Sequence, residues 1–92
     1  MTFTVTALDF TNAKALLQEG LDAVSRGEDE YDFGTLTQVD SASVAVMLAW
    51  QRAAVRSGRR LRFLNVPSDL VNLADLYGVT ELLDLTEHTI AS

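Results

Sequence analysis

Residues 31–66, YDFGTLTQVDSASVAVMLAWQRAAVRSGRRLRFLNV, decide the fold class. Tyr31 and Phe33 open a strand, and Leu36 carries its apolar signal on to Val39. Asp40-Ser41 follows, and residues 42–57 then read as one strong helix. Gly58 is its natural stop, with Arg52 and Arg56 near the negative end of the helix dipole. Residues 61–66, Leu-Arg-Phe-Leu-Asn-Val, form a third, largely buried strand. A strand, a helix and another strand in this order argue for parallel neighbours joined by a crossover helix.

The flanks extend the alternation. Phe3, Val5 and Ala7 alternate with Thr2, Thr4 and Thr6, which predicts a short first strand. Thr11 or Asn12 can cap a helix in which Ala13, Leu16, Leu17, Leu21 and Val24 recur up to Gly27. Residues 27–30 make an acidic loop. Pro67-Ser68-Asp69 starts a further helix, where Leu70, Leu73, Ala74 and Tyr77 share one face and most of the Tyr77 ring is expected in the core. Gly78 ends it, and Val79, Leu82, Leu83 and Leu85 are expected to pack back on the core as a turn or strand. The expectation is a single α/β domain over 1–92, a mixed sheet of three to four strands with helices packed against it.

Composition narrows the function. A chain of 92 residues, 48% hydrophobic, is too short for two ordinary domains and too apolar to be disordered. A net charge of −6 disfavours nucleic acid and direct docking on anionic lipid. There is no cysteine, hence no disulfide and no thiol nucleophile. The first ten residues lack the pattern of a signal peptide, and the densest apolar stretch, 44–50, falls far short of the ~20 residues that cross a bilayer. We therefore expect a cytoplasmic protein with no direct membrane insertion. No P-loop and no dinucleotide fingerprint is present, and a lone His88 cannot build an ordinary zinc site. The carboxylates at 28, 29, 30 and 32 lack the alternation of a calcium loop. Neither catalysis nor a cofactor nor a metal is expected.

The candidate site is Gln38-Val39-Asp40-Ser41-Ala42-Ser43-Val44, where strand turns into helix. A helix begins with unpaired N–H groups and a partial positive charge, which Asp40 or Ser41 can cap. A Ser41 hydroxyl held there is exposed. Its phosphate would sit at the positive helix end but beside the repelling Asp40, which suits a switch on a docking face. Capping alone is the plainer alternative. Along the helix, Val44, Met47, Leu48 and Val55 are expected against the sheet, with Val46, Trp50 and Ala53 on a second apolar face. Trp50 reads either as core or as a partner anchor, since Trp is enriched at binding hot spots. Arg52, Arg56, Arg59 and Arg60 are either a solvated helix end or a match for acidic groups on a partner.

Asp40-Ser41-Ala42-Ser43-Val44 resembles the Asp-Ser/Thr-x-Gly-Leu segment of STAS domains, which sulfate-transporter tails and anti-sigma-factor antagonists share. Leu73-Ala74-Asp75-Leu76-Tyr77-Gly78-Val79 resembles the MlaB-like branch, the small STAS subunit of the bacterial ABC transporter that moves phospholipids to maintain outer-membrane lipid asymmetry. The resemblance spans nearly the whole chain, best over 31–83. It implies a non-catalytic cytoplasmic subunit, peripheral to the inner membrane through its partner. That partner would be the transporter's ATPase subunit and, through it, a membrane permease. It implies Ser41 as the contact residue, and Asp40, Ser43, Val44 and Trp50 are grouped with it as the partner-binding set. The alternative it implies is an anti-sigma-factor antagonist phosphorylated on Ser41. Two features depart from the family: Ser43-Val44 replaces Gly-Leu, which would loosen the start of the helix, and the N-terminus looks too short for the family's extra first strand.

Overall fold

The computed structural model describes residues 1–87, so His88 lies outside the described residues. Its elements are β1 (Ala7–Leu8), α1 (Ala13–Ser25), β2 (Glu30–Asp32), β3 (Gln38–Val39), α2 (Ser41–Arg56), β4 (Arg62–Val66), α3 (Ser68–Leu76), a 3-10 turn (Thr80–Leu82) and β5 (Asp84–Glu87). The α/β class and the helices stand as expected. The sheet does not come out mixed: every described pairing is parallel, β1 with β3 and, in a second sheet, β2–β4–β5. The reason is topological. Each pair of neighbouring strands is joined through a helix, and such crossovers return the chain in the same direction.

The strand expected to run from Tyr31 to Val39 is two strands. The chain leaves β2 after Asp32, whose carboxylate accepts the Gly34 N–H at 2.8 Å, and turns before β3. The N-terminal segment accompanies both. Thr2 bridges Asp32, the Phe3 N–H donates to the Asp32 carbonyl at 3.0 Å, and the Thr35 hydroxyl bonds the Val5 carbonyl at 2.8 Å. The short N-terminus thus supplies the sheet edge that its length had put in doubt. The tail around 83–85 supplies the far strand, β5.

Five aromatic rings fill the space between sheet and helices. Phe3 stacks on Trp50 at 5.3 Å between centroids, Tyr31 meets Trp50 edge-on at 5.3 Å, and Phe33 and Phe63 complete the group. Such offset and edge contacts add to the burial of large apolar area. Two of the rings carry polar atoms, and α1 satisfies both: Trp50 Nε1 donates to the Leu17 carbonyl at 2.9 Å and the Tyr31 hydroxyl to the Gly20 carbonyl at 2.5 Å. Burial pushes the Tyr31 phenol up to about 12, so it stays a neutral donor at ordinary pH.

Gly20 explains how α1 comes this close. A Cβ at position 20 would stand 2.1 Å from Trp50 Cε2 and Nε1, inside the indole itself. Alanine is the better helix former by roughly 1 kcal/mol. Gly20→Ala should nevertheless destabilise the fold by about 2–3 kcal/mol, because α1 and the indole must separate and the Leu17 and Gly20 carbonyl contacts loosen together. Urea unfolding followed by Trp50 fluorescence reads this directly; an unchanged or higher midpoint would show that the packing tolerates a methyl group there.

Candidate docking site at the start of the central helix

The start of α2 is built by Asp40 and Ser43. Asp40 is extended, with φ −147°, and its carboxylate accepts the Ala42 N–H at 2.8 Å; the Ser43 hydroxyl accepts the Asp40 N–H at 3.1 Å, closing a capping box. Both residues also reach across to the first strand and its loop. Ser43 donates its hydroxyl proton to the Leu8 carbonyl, and Asp40 accepts the Phe10 N–H at 3.0 Å through its second oxygen. The Ser43 that stands in place of the family's glycine therefore tightens the helix start rather than loosening it.

The loop held by Asp40 is itself stiffened. The Thr11 hydroxyl and backbone N–H bond the Asp9 carboxyl at 2.6 and 2.9 Å, and hold it below the usual carboxylate range. Asn12 occupies the cap position of α1 but caps nothing with its side chain. It bonds instead to the Asp9 N–H and the Ala7 carbonyl, at 3.0 and 2.8 Å. Phe10, at the tip of this loop, is 85% exposed. A large aromatic ring is thus fixed in water beside the first turn of α2.

Of the five residues expected to touch a partner, the structure leaves two within reach. Ser41 is exposed, with no hydrogen-bond partner among the described residues, and Asp40 is half-buried as the cap. Ser43, Val44 and Trp50 are corrections. Ser43 is fully buried by its bond to Leu8, and Val44 is packed in the core. Trp50 has no exposed surface, because Gly20 lets α1 close over it. The expected division of α2 is also corrected. Its inner face is Ser43, Val44, Val46, Met47, Trp50, Gln51 and Ala54, whereas Val55 is 56% exposed. Gln51, buried and polar, pairs its side-chain amide with the main chain of Leu61 at 2.8 and 3.0 Å, fixing the end of α2 to the start of β4.

The outer face of α2 is accordingly Ser41, Ala45, Leu48, Arg52, Val55 and Arg56, one stripe at helical spacing. A shallow groove of about 450 Å³ lies at its start, between Phe10, Ser41, Leu48, Tyr77 and Val79, with Asp40 and the little of Val44 that is exposed also lining it. Tyr77, expected mostly in the core, sits just beyond the end of α3 and is 52% exposed. Leu82, expected to pack inward, is also exposed, at the end of a 3-10 turn that buries none of its residues. Phe10 was not legible as a contact residue at all. Its signal, an aromatic in a polar turn between strand and helix, points to an exposed site only once the turn is recognised.

Four of the five large apolar side chains exposed among the described residues, Phe10, Val55, Tyr77 and Leu82, border this one helix face. Large apolar side chains gathered in this way along one helix face make it the candidate interaction surface. Among the described residues no three His, Cys, Asp or Glu side chains converge as a metal site would need, and no helix is long and apolar enough to cross a membrane. The architecture is that of a small α/β interaction domain. A family model described as Mlab, STAS domain matches residues 5–85, and the chain belongs to the STAS family, whose members are regulatory and interaction domains. No curated protein matches the chain.

The double role of Asp40 sets an expectation. Asp40→Ala should cost about 1–2 kcal/mol through the lost cap, and should speed hydrogen exchange at the Phe10 amide, which loses its acceptor. Ser41→Ala should stay within about 0.5 kcal/mol. Denaturant unfolding and amide exchange of the two variants check this; equal effects would mean that Asp40 does not hold the loop.

Proposed function

We propose that the domain is a non-catalytic subunit of a phospholipid-transport ABC complex, held at the inner membrane through its partners. It docks on the ATPase subunit with the Ser41 end of α2. The observation that supports this most is the placement of the Ser41 hydroxyl. It stands unbonded at a rigidly capped helix start, on the rim of an apolar groove whose walls are Phe10, Leu48, Tyr77 and Val79. Apolar and aromatic anchors in a groove, with a small polar group on its rim, suit a protein interface. The family description supports the choice of transporter.

The docking adds no group that hydrolyses ATP. It orders the ATPase surface it covers, which stabilises the complex or tunes its turnover by binding one conformation better than another. The same exposed hydroxyl favours one other reading, an anti-sigma-factor antagonist in which phosphorylated Ser41 changes the charge of the docking face.

Affinity purification of the tagged chain from its own cells, with quantification of co-purifying proteins, separates the two. The account predicts an ABC ATPase and its permease. Ser41→Ala should retain them, whereas Ser41→Glu, which places charge in the groove, and Tyr77→Ala, which removes an anchor, should each lower recovery about tenfold or more. A serine kinase in place of the ATPase, lost equally with Ser41→Ala and Ser41→Glu, would overturn the transporter reading.

A further inference from the structure

A second groove, of about 370 Å³, lies at the other end of the outer face of α2. Its walls are Leu48, Val55 and Leu82, its base is Gln51, and its rim is Arg52, Arg56 and Arg60. Ser41 and Arg56 are 15 residues apart on one helix, roughly 22 Å along its axis. The two ends therefore present separate surfaces that share only Leu48.

The charge of this groove is opposite to that of the chain. Three of the seven basic residues line it and no carboxylate does, in a chain with 13 Asp and Glu. Arg52 and Arg56 are exposed and make no ion pair or hydrogen bond among the described residues, and Arg60 reaches only the Glu81 carbonyl, at 3.3 Å. Other basic groups of the chain do have partners: Arg26 pairs with Glu28, Arg62 with Glu30, and Arg59 turns inward to the Val24 carbonyl. Charge left unpaired around apolar walls is complementary to a segment that is apolar on one side and acidic on its flanks.

We propose that this groove binds an acidic amphipathic helix of a partner protein. Leu48, Arg52 and Val55 follow one another at i, i+4 and i+7, a ridge that a second helix can straddle with its own i, i+4 and i+7 apolar residues. The arginines then meet carboxylates on both flanks and set the helix's direction. A membrane is the poorer occupant, since the net charge of −6 repels anionic lipid while the groove itself is concave. The proposal does not require the Ser41 end to bind an ATPase.

The test uses the full chain, labelled with ¹⁵N and titrated with designed helical peptides of about 15 residues, long enough to hold a helix. One carries a leucine stripe flanked by glutamates; its control replaces the glutamates by lysines. The glutamate peptide should shift the resonances of Leu48, Arg52, Val55, Arg56, Arg60 and Leu82, and the lysine peptide should not. R52E/R56E, and the milder R52Q/R56Q if the first disturbs the fold, should weaken the binding about tenfold or more. Ser41→Glu should leave it unchanged, so loss of the ATPase contact and loss of this groove are read separately. Equal shifts with both peptides, shifts confined to other residues, or no shift at millimolar peptide would overturn the proposal. So would binding of phosphatidylglycerol vesicles to the same residues without binding of the peptide.

Discussion

The contact between Trp50 and Gly20 orients everything else. A tryptophan buried without a partner for its N–H is costly, and the nearest acceptor is a carbonyl of α1, which lies near enough only because residue 20 has no side chain. Tyr31 uses the same stretch of α1 for its hydroxyl, so strand and central helix are both registered on one helical turn. With Trp50 turned inward, the periodicity of α2 leaves no choice for the rest: Ser43, Met47 and Ala54 follow it in, and Ser41, Leu48, Arg52 and Val55 are carried out. The outer face is apolar and basic for reasons the core does not supply. That surplus is what the proposed docking rests on.

The start of α2 fixes where this face begins. Asp40 and Ser43 cap the helix and at the same time bond to Phe10 and Leu8, so the first strand, its loop and the central helix are tied together. The consequence for Ser41 is a hydroxyl that is exposed yet held by rigid surroundings. Recognition of it costs this chain little conformational freedom, which favours affinity from a small contact. Residues that looked like part of the contact, Ser43 and Val44, instead build the platform on which Ser41 stands.

The helices and the α/β order were legible because they rest on local signals: apolar period, Gly58 beyond the end of α2 with φ +77°, and Pro67 ahead of α3. The parallel sheet was half legible, since the crossovers imply it, while the break between β2 and β3 depends on Asp32 and Gly34 at a turn that a strand pattern hides. The helix start within 38–44 was legible, and with it the candidate site, because a cap sequence between strand and helix is local. Which of its side chains face out was not. Trp50, Val55 and Tyr77 each lie on apolar stripes, and only the tertiary contact of α1 decides that the first is core, while the other two stay in water. A glycine amid the helical pattern of α1 and a glutamine amid that of α2 were the available clues. Gly20 marks close approach, and Gln51 marks a buried polar pairing with Leu61.

One division underlies the proposed docking: Trp50 lies inside, and the Phe10–Ser41–Tyr77 surface lies outside, open to a partner. Covalent footprinting of side chains, on the chain alone and with the proposed ATPase partner added, measures that division residue by residue. Phe10 and Tyr77 should be labelled in the free chain and protected in the complex, with Trp50 unlabelled in both. Labelling of Trp50 in the free chain that is lost in the complex, with Phe10 and Tyr77 unchanged, would contradict it and return Trp50 to the interface.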